Sequence, residues 1–112
     1  MKSVRLVRAP SPIRRALDPL KGALPAGARV IVFGSHAEGR ARADSDIDIL
    51  VIEPEVSDRM VETIRLSSLL GRELIPADVV VMTSEMFDRQ RQIPNTLAWR
   101  AARDGVEYEL AC

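Results

Sequence analysis

Apolar residues in this chain come in short dense runs, separated by stretches where they recur every three or four positions. Residues 30–33, 47–52 and 78–82 are the runs. Rich in valine and isoleucine and bounded by glycine, proline or aspartate, they predict three strands with little exposed surface. The periodic stretches predict helices. Ser11 and Pro12 read as a hydroxyl cap followed by proline at the first helical position, and Ile13, Leu17 and Leu20 then recur at helical spacing, with Pro19 ending or kinking the segment. Gly22, Pro25 and Gly27 break the chain before the first strand, and a short helix is expected from Ser35 toward Gly39.

After the second strand, closed by Pro54, a helix is expected from about Ser57 to Leu70. Met60, Val61, Ile64 and Leu69 form its apolar stripe and Gly71 marks its end. Ser84 reads as the cap of a helix to about Gln92. Another starts at Pro94 or Asn95 and reaches Asp104, with Gly105 as its stop. Residues 106–110 return as a short strand, and residues 1–10 are either a loose arm or an edge strand. This order implies an α/β (α+β) fold: one domain over 1–112, with a small mixed β-sheet flanked by helices, the first strands at 30–82 and the C-terminal helices at 84–105. No internal repeat or low-complexity linker interrupts it.

Composition narrows the function. The 112 residues, 46% hydrophobic and 29% charged, suit one soluble globular domain, and 16 basic residues balance 16 acidic ones, so bulk charge gives no reason to expect direct nucleic-acid binding. Arg5, Arg8, Arg14 and Arg15 read as solvated helix surface. The one cysteine, Cys112, reads as an inert terminal thiol and rules out an intrachain disulfide. The one histidine, His36, rules out a histidine cluster. No apolar run approaches the roughly 20 residues of a membrane span, and no signal core opens the chain, so a cytoplasmic protein without membrane association is expected. Any bound metal would need carboxylates.

Those carboxylates stand close to a glycine turn. The strand at 30–33 runs into Gly34-Ser35-His36-Ala37-Glu38-Gly39, and Ser45-Asp46-Ile47-Asp48 follows within fifteen residues. A glycine lets the backbone approach phosphate, while the amides and hydroxyl at Ser35 can donate to its oxygens, and Gly39 turns the chain away. Alternation along a strand would place Asp46 and Asp48 on one face and turn Ile47 and Ile49 into the core. Two like charges on one face are tolerable when divalent cations neutralise them, and Mg²⁺ takes one or two carboxylates together with phosphate oxygens. Asp78 opens the other strongly apolar strand and would supply a third carboxylate if the two strands are neighbours. Ser45 reads as a turn or capping residue within reach of a substrate. Ser35 and His36 are adjacent on a helix start and so do not form a nucleophile–base pair. Trp99 and Tyr108 read as core or interface, and Met82, Met86 and Phe87 as core.

Gly34-Ser35, Gly39 and Ser45-Asp46-Ile47-Asp48 resemble the Gly-Ser, spaced-glycine and Asp-x-Asp signature of the DNA polymerase beta-like nucleotidyltransferase superfamily. Over residues 30–82 the chain is similar to its minimal branch, the stand-alone MNT domains found as antitoxins beside HEPN-domain toxins, and its ending, Trp99-Arg100 then Gly105-Val106 and Tyr108-Glu109, is similar too. The resemblance implies the nucleotidyltransferase fold. It also implies transfer of a nucleoside monophosphate from ATP or another NTP, with two Mg²⁺ ions on Asp46, Asp48 and Asp78, to a hydroxyl of a partner protein. Gly34, Ser35, Gly39 and Ser45 would then bind the nucleotide. One departure is Glu38, which stands where many relatives carry arginine. Arg40 or Arg42 could replace that charge. The alternative is a non-catalytic antitoxin or binding module that silences its partner by covering it. A dedicated RNA or antibiotic nucleotidyltransferase fits less well, because such enzymes use further domains to position the acceptor. Oligomeric state and the choice of nucleotide stay open.

Overall fold

The computed structural model describes residues 2–42 and 44–110, and Cys112 lies outside them. Its five strands are β1 (Lys2–Arg5), β2 (Arg29–Phe33), β3 (Ile47–Glu53), β4 (Ala77–Thr83) and β5 (Val106–Glu109), arranged in the order β1-β5-β2-β3-β4. β3 is antiparallel to β2 and parallel to β4, while β5 is antiparallel to β2 and parallel to β1. The first residues therefore form an edge strand rather than a loose arm.

Four α-helices cover both sides. α1 (Ser11–Leu17) and α2 (Arg59–Arg72) lie on one face, where Ile13, Ala16, Leu17, Leu66 and Leu70 pack with Val30, Val32, Ile47, Ile49 and Val51. α3 (Ser84–Gln90) and α4 (Leu97–Asp104) lie on the other, where Phe87, Ala98 and Ala101 pack with Ile31, Leu50, Ile52 and Met82. Burial on both faces explains why β2 and β3 read as continuous apolar runs instead of alternating. Phe87 and Met82 are buried as expected, as is Tyr108. Trp99 is half-buried, with the Arg103 guanidinium 4.2 Å from its ring centre.

Several helix starts differ from the sequence expectation. Pro10 precedes α1, so Ser11 and Pro12 are its first helical residues and Ser11 makes no cap. α2 begins two residues later than expected because Asp58 accepts hydrogen bonds from the Met60 and Val61 amides, and it runs through Gly71 to Arg72. Thr83, not Ser84, caps α3, and Thr96 caps α4, so neither Pro94 nor Asn95 starts a helix. Gly105 does end α4, but in an extended conformation; a Cβ there would run into the Ala101 carbonyl oxygen and the Ile31 side chain. The apolar stripe of α2 is also corrected. Met60, Val61 and Ile64 are exposed, and Leu66 and Leu70 hold the helix to the sheet.

Candidate active site

β2 and β3 run in opposite directions and β3 and β4 in the same one, so the C-terminal end of β2 meets the N-terminal ends of β3 and β4. The glycine turn and the aspartates sit at that meeting point. Phe33 pairs with Asp48, and Asp48 pairs with Asp78. Register partners on neighbouring strands share a face, so Asp48 and Asp78 project to the same side of the sheet from adjacent strands, whose spacing is about 4.8 Å. Asp46 precedes the first residue of β3, and the alternation expected for it does not apply. Ile47 and Ile49 are buried as expected, and Asp48 faces the opposite way.

Electrostatics ties the three carboxylates together. Burial, and then the negative charges of Asp78 and Asp46, hold the Asp48 carboxyl above its ordinary value, while His36 pulls the other way. None of the three takes part in an ion pair among the described residues. Their mutual repulsion is offset in part by His36. Among the described residues no group of three or more acidic, histidine or cysteine side chains is close enough to hold a metal ion unaided.

Residues 34–36 form a single turn of 3₁₀ helix, shorter than the expected helix toward Gly39. Gly34 has φ 74°, and a Cβ there would strike Asp48 Oδ2 and lie 3.2 Å from Asp48 Cγ. Glycine is required by both conformation and space, since the turn rests directly on the Asp48 carboxylate. Ser35 is half-buried within this turn. Gly39 also has positive φ, 72°, with open space around it.

Its sequence position sets His36 aside as a catalytic base, and the structure gives it a different task. Its Nε2 lies 3.0 Å from the Ser45 carbonyl oxygen. A carbonyl only accepts, so Nε2 carries the proton and donates, joining the glycine turn to the residue before Asp46. Ser45 Oγ accepts from the Arg42 amide at 2.8 Å, the turn role expected of it. Arg40 and Arg42 lie on the exposed segment between the motifs, and Arg40 pairs with Glu38 at 3.3 Å. A cleft of about 920 Å³ lined by Arg5, Arg14 and Glu109 belongs to the other end of the sheet, where Arg5 lies opposite Glu109 in the backbone register of β1 and β5.

A family model described as "Nucleotidyltransferase domain" matches residues 13–98. No curated protein matches the chain. Among solved structures, one from Sulfolobus solfataricus, provisionally assigned as a nucleotidyltransferase, is 22% identical with a TM-score of 0.55, over 75% of each chain. A toxin–antitoxin structure with AMP-PNP is 21% identical with a TM-score of 0.58, over 87% of this chain and 69% of that one. At these identities the two structures speak for the fold, which they share with the mixed five-stranded sheet described above. The family match spans three quarters of the chain and contains the turn and all three aspartates, and by it the chain belongs to the nucleotidyltransferase domain family.

Proposed function

We propose that this chain transfers a nucleoside monophosphate from ATP or another nucleoside triphosphate, with Mg²⁺, to a hydroxyl group of a partner protein, and that it acts as the antitoxin to a HEPN-type toxin. The observation that carries this reading is the register match of Asp48 with Asp78 beneath a glycine turn that rests on Asp48. Two adjacent, unpaired carboxylates with a third close by suit a hard cation that completes its shell with phosphate oxygens. The toxin–antitoxin structure of similar fold supports the choice of partner class.

Asp46 and Asp48 would hold the cation on the triphosphate, and Asp48 and Asp78 the one shared with the acceptor. Such cations stabilise the attacking and leaving oxygens. Gly34 and Ser35 would present backbone and hydroxyl to the phosphates, with Gly39 releasing the chain and Ser45, Arg40 and Arg42 bordering the nucleotide. Asp78, exposed at the start of the edge strand β4, would take the acceptor's proton. The acceptor oxygen bonds to the α-phosphorus, the bond from that phosphorus to the bridging oxygen breaks, and pyrophosphate departs. His36 acts at one remove by fixing Ser45 and so the approach of Asp46.

A second reading, neutralisation by binding alone, is favoured by one feature: Glu38 occupies Arg40 beside the second glycine. Incubation of the protein with its genomic neighbour, Mg²⁺ and α-labelled ATP separates the two. Label should pass to the neighbour with wild type and fall by about a hundredfold or more with Asp48→Asn or Asp78→Asn. Undiminished labelling by both variants would remove the aspartates from the mechanism. No labelling by wild type, with the neighbour still bound and silenced by all three proteins, would establish the binding reading.

A further inference from the structure

A surface helix normally turns charge toward water. α2 does not. At 3.6 residues per turn, Met60, Val61, Ile64, Ser67, Ser68 and Gly71 fall in one sector about 120° wide, and all six are exposed and uncharged. Its charged residues lie outside that sector: Arg59 Nε donates to the Val81 carbonyl at 2.9 Å, Arg65 pairs with Glu62 at 2.7 Å, and Arg72 is exposed at the sector's edge. Leu66 and Leu70 already anchor the opposite side, so folding has no use for the strip. Leu74, just past the helix end, is 89% exposed.

The strip is bulky toward the N-terminal end of α2 and small toward the C-terminal end. A second copy of the helix, antiparallel about a twofold axis between Ser67 and Ser68, puts Ile64 of each copy opposite Gly71 of the other and Val61 opposite Leu74. Ile64 then meets the gap at Gly71, where a Cβ would find nothing within 4 Å, and Val61 meets the exposed Leu74 in an apolar contact. Antiparallel packing also sets the positive end of each helix dipole beside the negative end of its mate.

We infer that two copies of this chain pair through the outward face of α2. Met60, Val61, Ile64 and Leu74 expose apolar surface on the order of 500 Å² per copy, as large as the biggest patch a monomer usually leaves open. Covering it twice buries about 1,000 Å², near the lower bound for specific association, so the dimer is reversible. α2 lies on the face of the sheet opposite to the one Asp48 points toward, and pairing leaves the candidate site open. The inference therefore stands apart from the proposed chemistry.

Sedimentation velocity across a wide concentration range tests it. Wild type should show a reversible monomer–dimer equilibrium. Gly71→Leu meets open space in the monomer and improves helix propensity, so it should raise the dimer Kd about tenfold or more, with an unchanged circular dichroism spectrum and no loss of thermal midpoint. Ile64→Glu should do the same by placing charge in the contact. A wild-type monomer at every concentration, or a dimer whose Kd neither substitution moves, would overturn the pairing. Loss of a foreign partner by Gly71→Leu in a protein that never self-associates would assign the strip to that partner and overturn it equally.

Discussion

Glu53 ends β3, five residues beyond Asp48, and is the one buried charged residue among those described, at 4% exposure. Its Oε2 has no hydrogen-bond partner. Burial, then the hydrogen bond with Glu62 and that group's negative charge, push the Glu53 carboxyl up to about 7 from 4.5, with Arg65 opposing. Glu62 moves the other way, down to about 2, because Arg65 donates to both of its oxygens at 2.7 and 2.8 Å and Glu53 adds a further hydrogen bond. At mildly acidic pH the pair holds one proton, on Glu53, donated to the Glu62 carboxylate. The folded state thus binds that proton more tightly than the unfolded chain does. Its contribution is complete below about 4.5 and is lost as pH rises through about 7. The raised carboxyl bounds the loss at about 3 kcal/mol. The Glu62 contribution has the opposite sense, present above 4.5 and lost only as pH falls toward 2, so it stays constant through neutrality. Glu53→Gln keeps the shape and a donor toward Glu62 but cannot ionise. Scanning calorimetry from pH 5.5 to 8.5 should show the wild-type midpoint falling by roughly 5–10 °C and the variant's by much less. Equal slopes for the two proteins would refute the assignment of the proton to Glu53.

Two predictions concern the site itself. Gly34→Ala forces a Cβ onto the Asp48 carboxylate at a positive φ, and should cost about 1–3 kcal/mol in chemical denaturation while weakening nucleotide binding measured by calorimetry. Asp78→Asn removes a charge that repels Asp48, so the ligand-free protein should melt at the same temperature or slightly higher, while the stabilisation of wild type by Mg²⁺ and ATP should disappear in thermal shift.

The sheet was legible because its strands are fed by residues that suit nothing else. The run at 47–52 has no polar position except Asp48, and Asp48 is where the site lies. The adjacency of Asp48 and Asp78 was legible only as a condition, since strand register depends on contacts between distant segments and no single segment encodes it. α2 misled for a physical reason. It carries apolar residues on two faces, and periodicity measures spacing without saying which face meets the sheet; Leu66 and Leu70 do, and Met60, Val61 and Ile64 do not. Thr83 and Ser84 both carry a hydroxyl able to cap a helix, and only backbone conformation chose the former. The His36 to Ser45 hydrogen bond and the Glu53–Glu62 pair have no local signature at all, because each joins segments separated by a turn or a loop.

The three aspartates are mounted on supports of unequal stiffness. Asp48 belongs to a strand laddered on both sides, Asp78 to an edge strand laddered on one, and Asp46 to the connection before β3, steadied by His36 through its neighbour Ser45. Local opening is least costly where the fewest backbone bonds must break. A cation arriving at Asp48 would therefore find one fixed jaw and one adjustable one. Drawing Asp46 inward asks only for a hinge in the connection, and the sheet that keeps Asp48 in register with Asp78 need not bend.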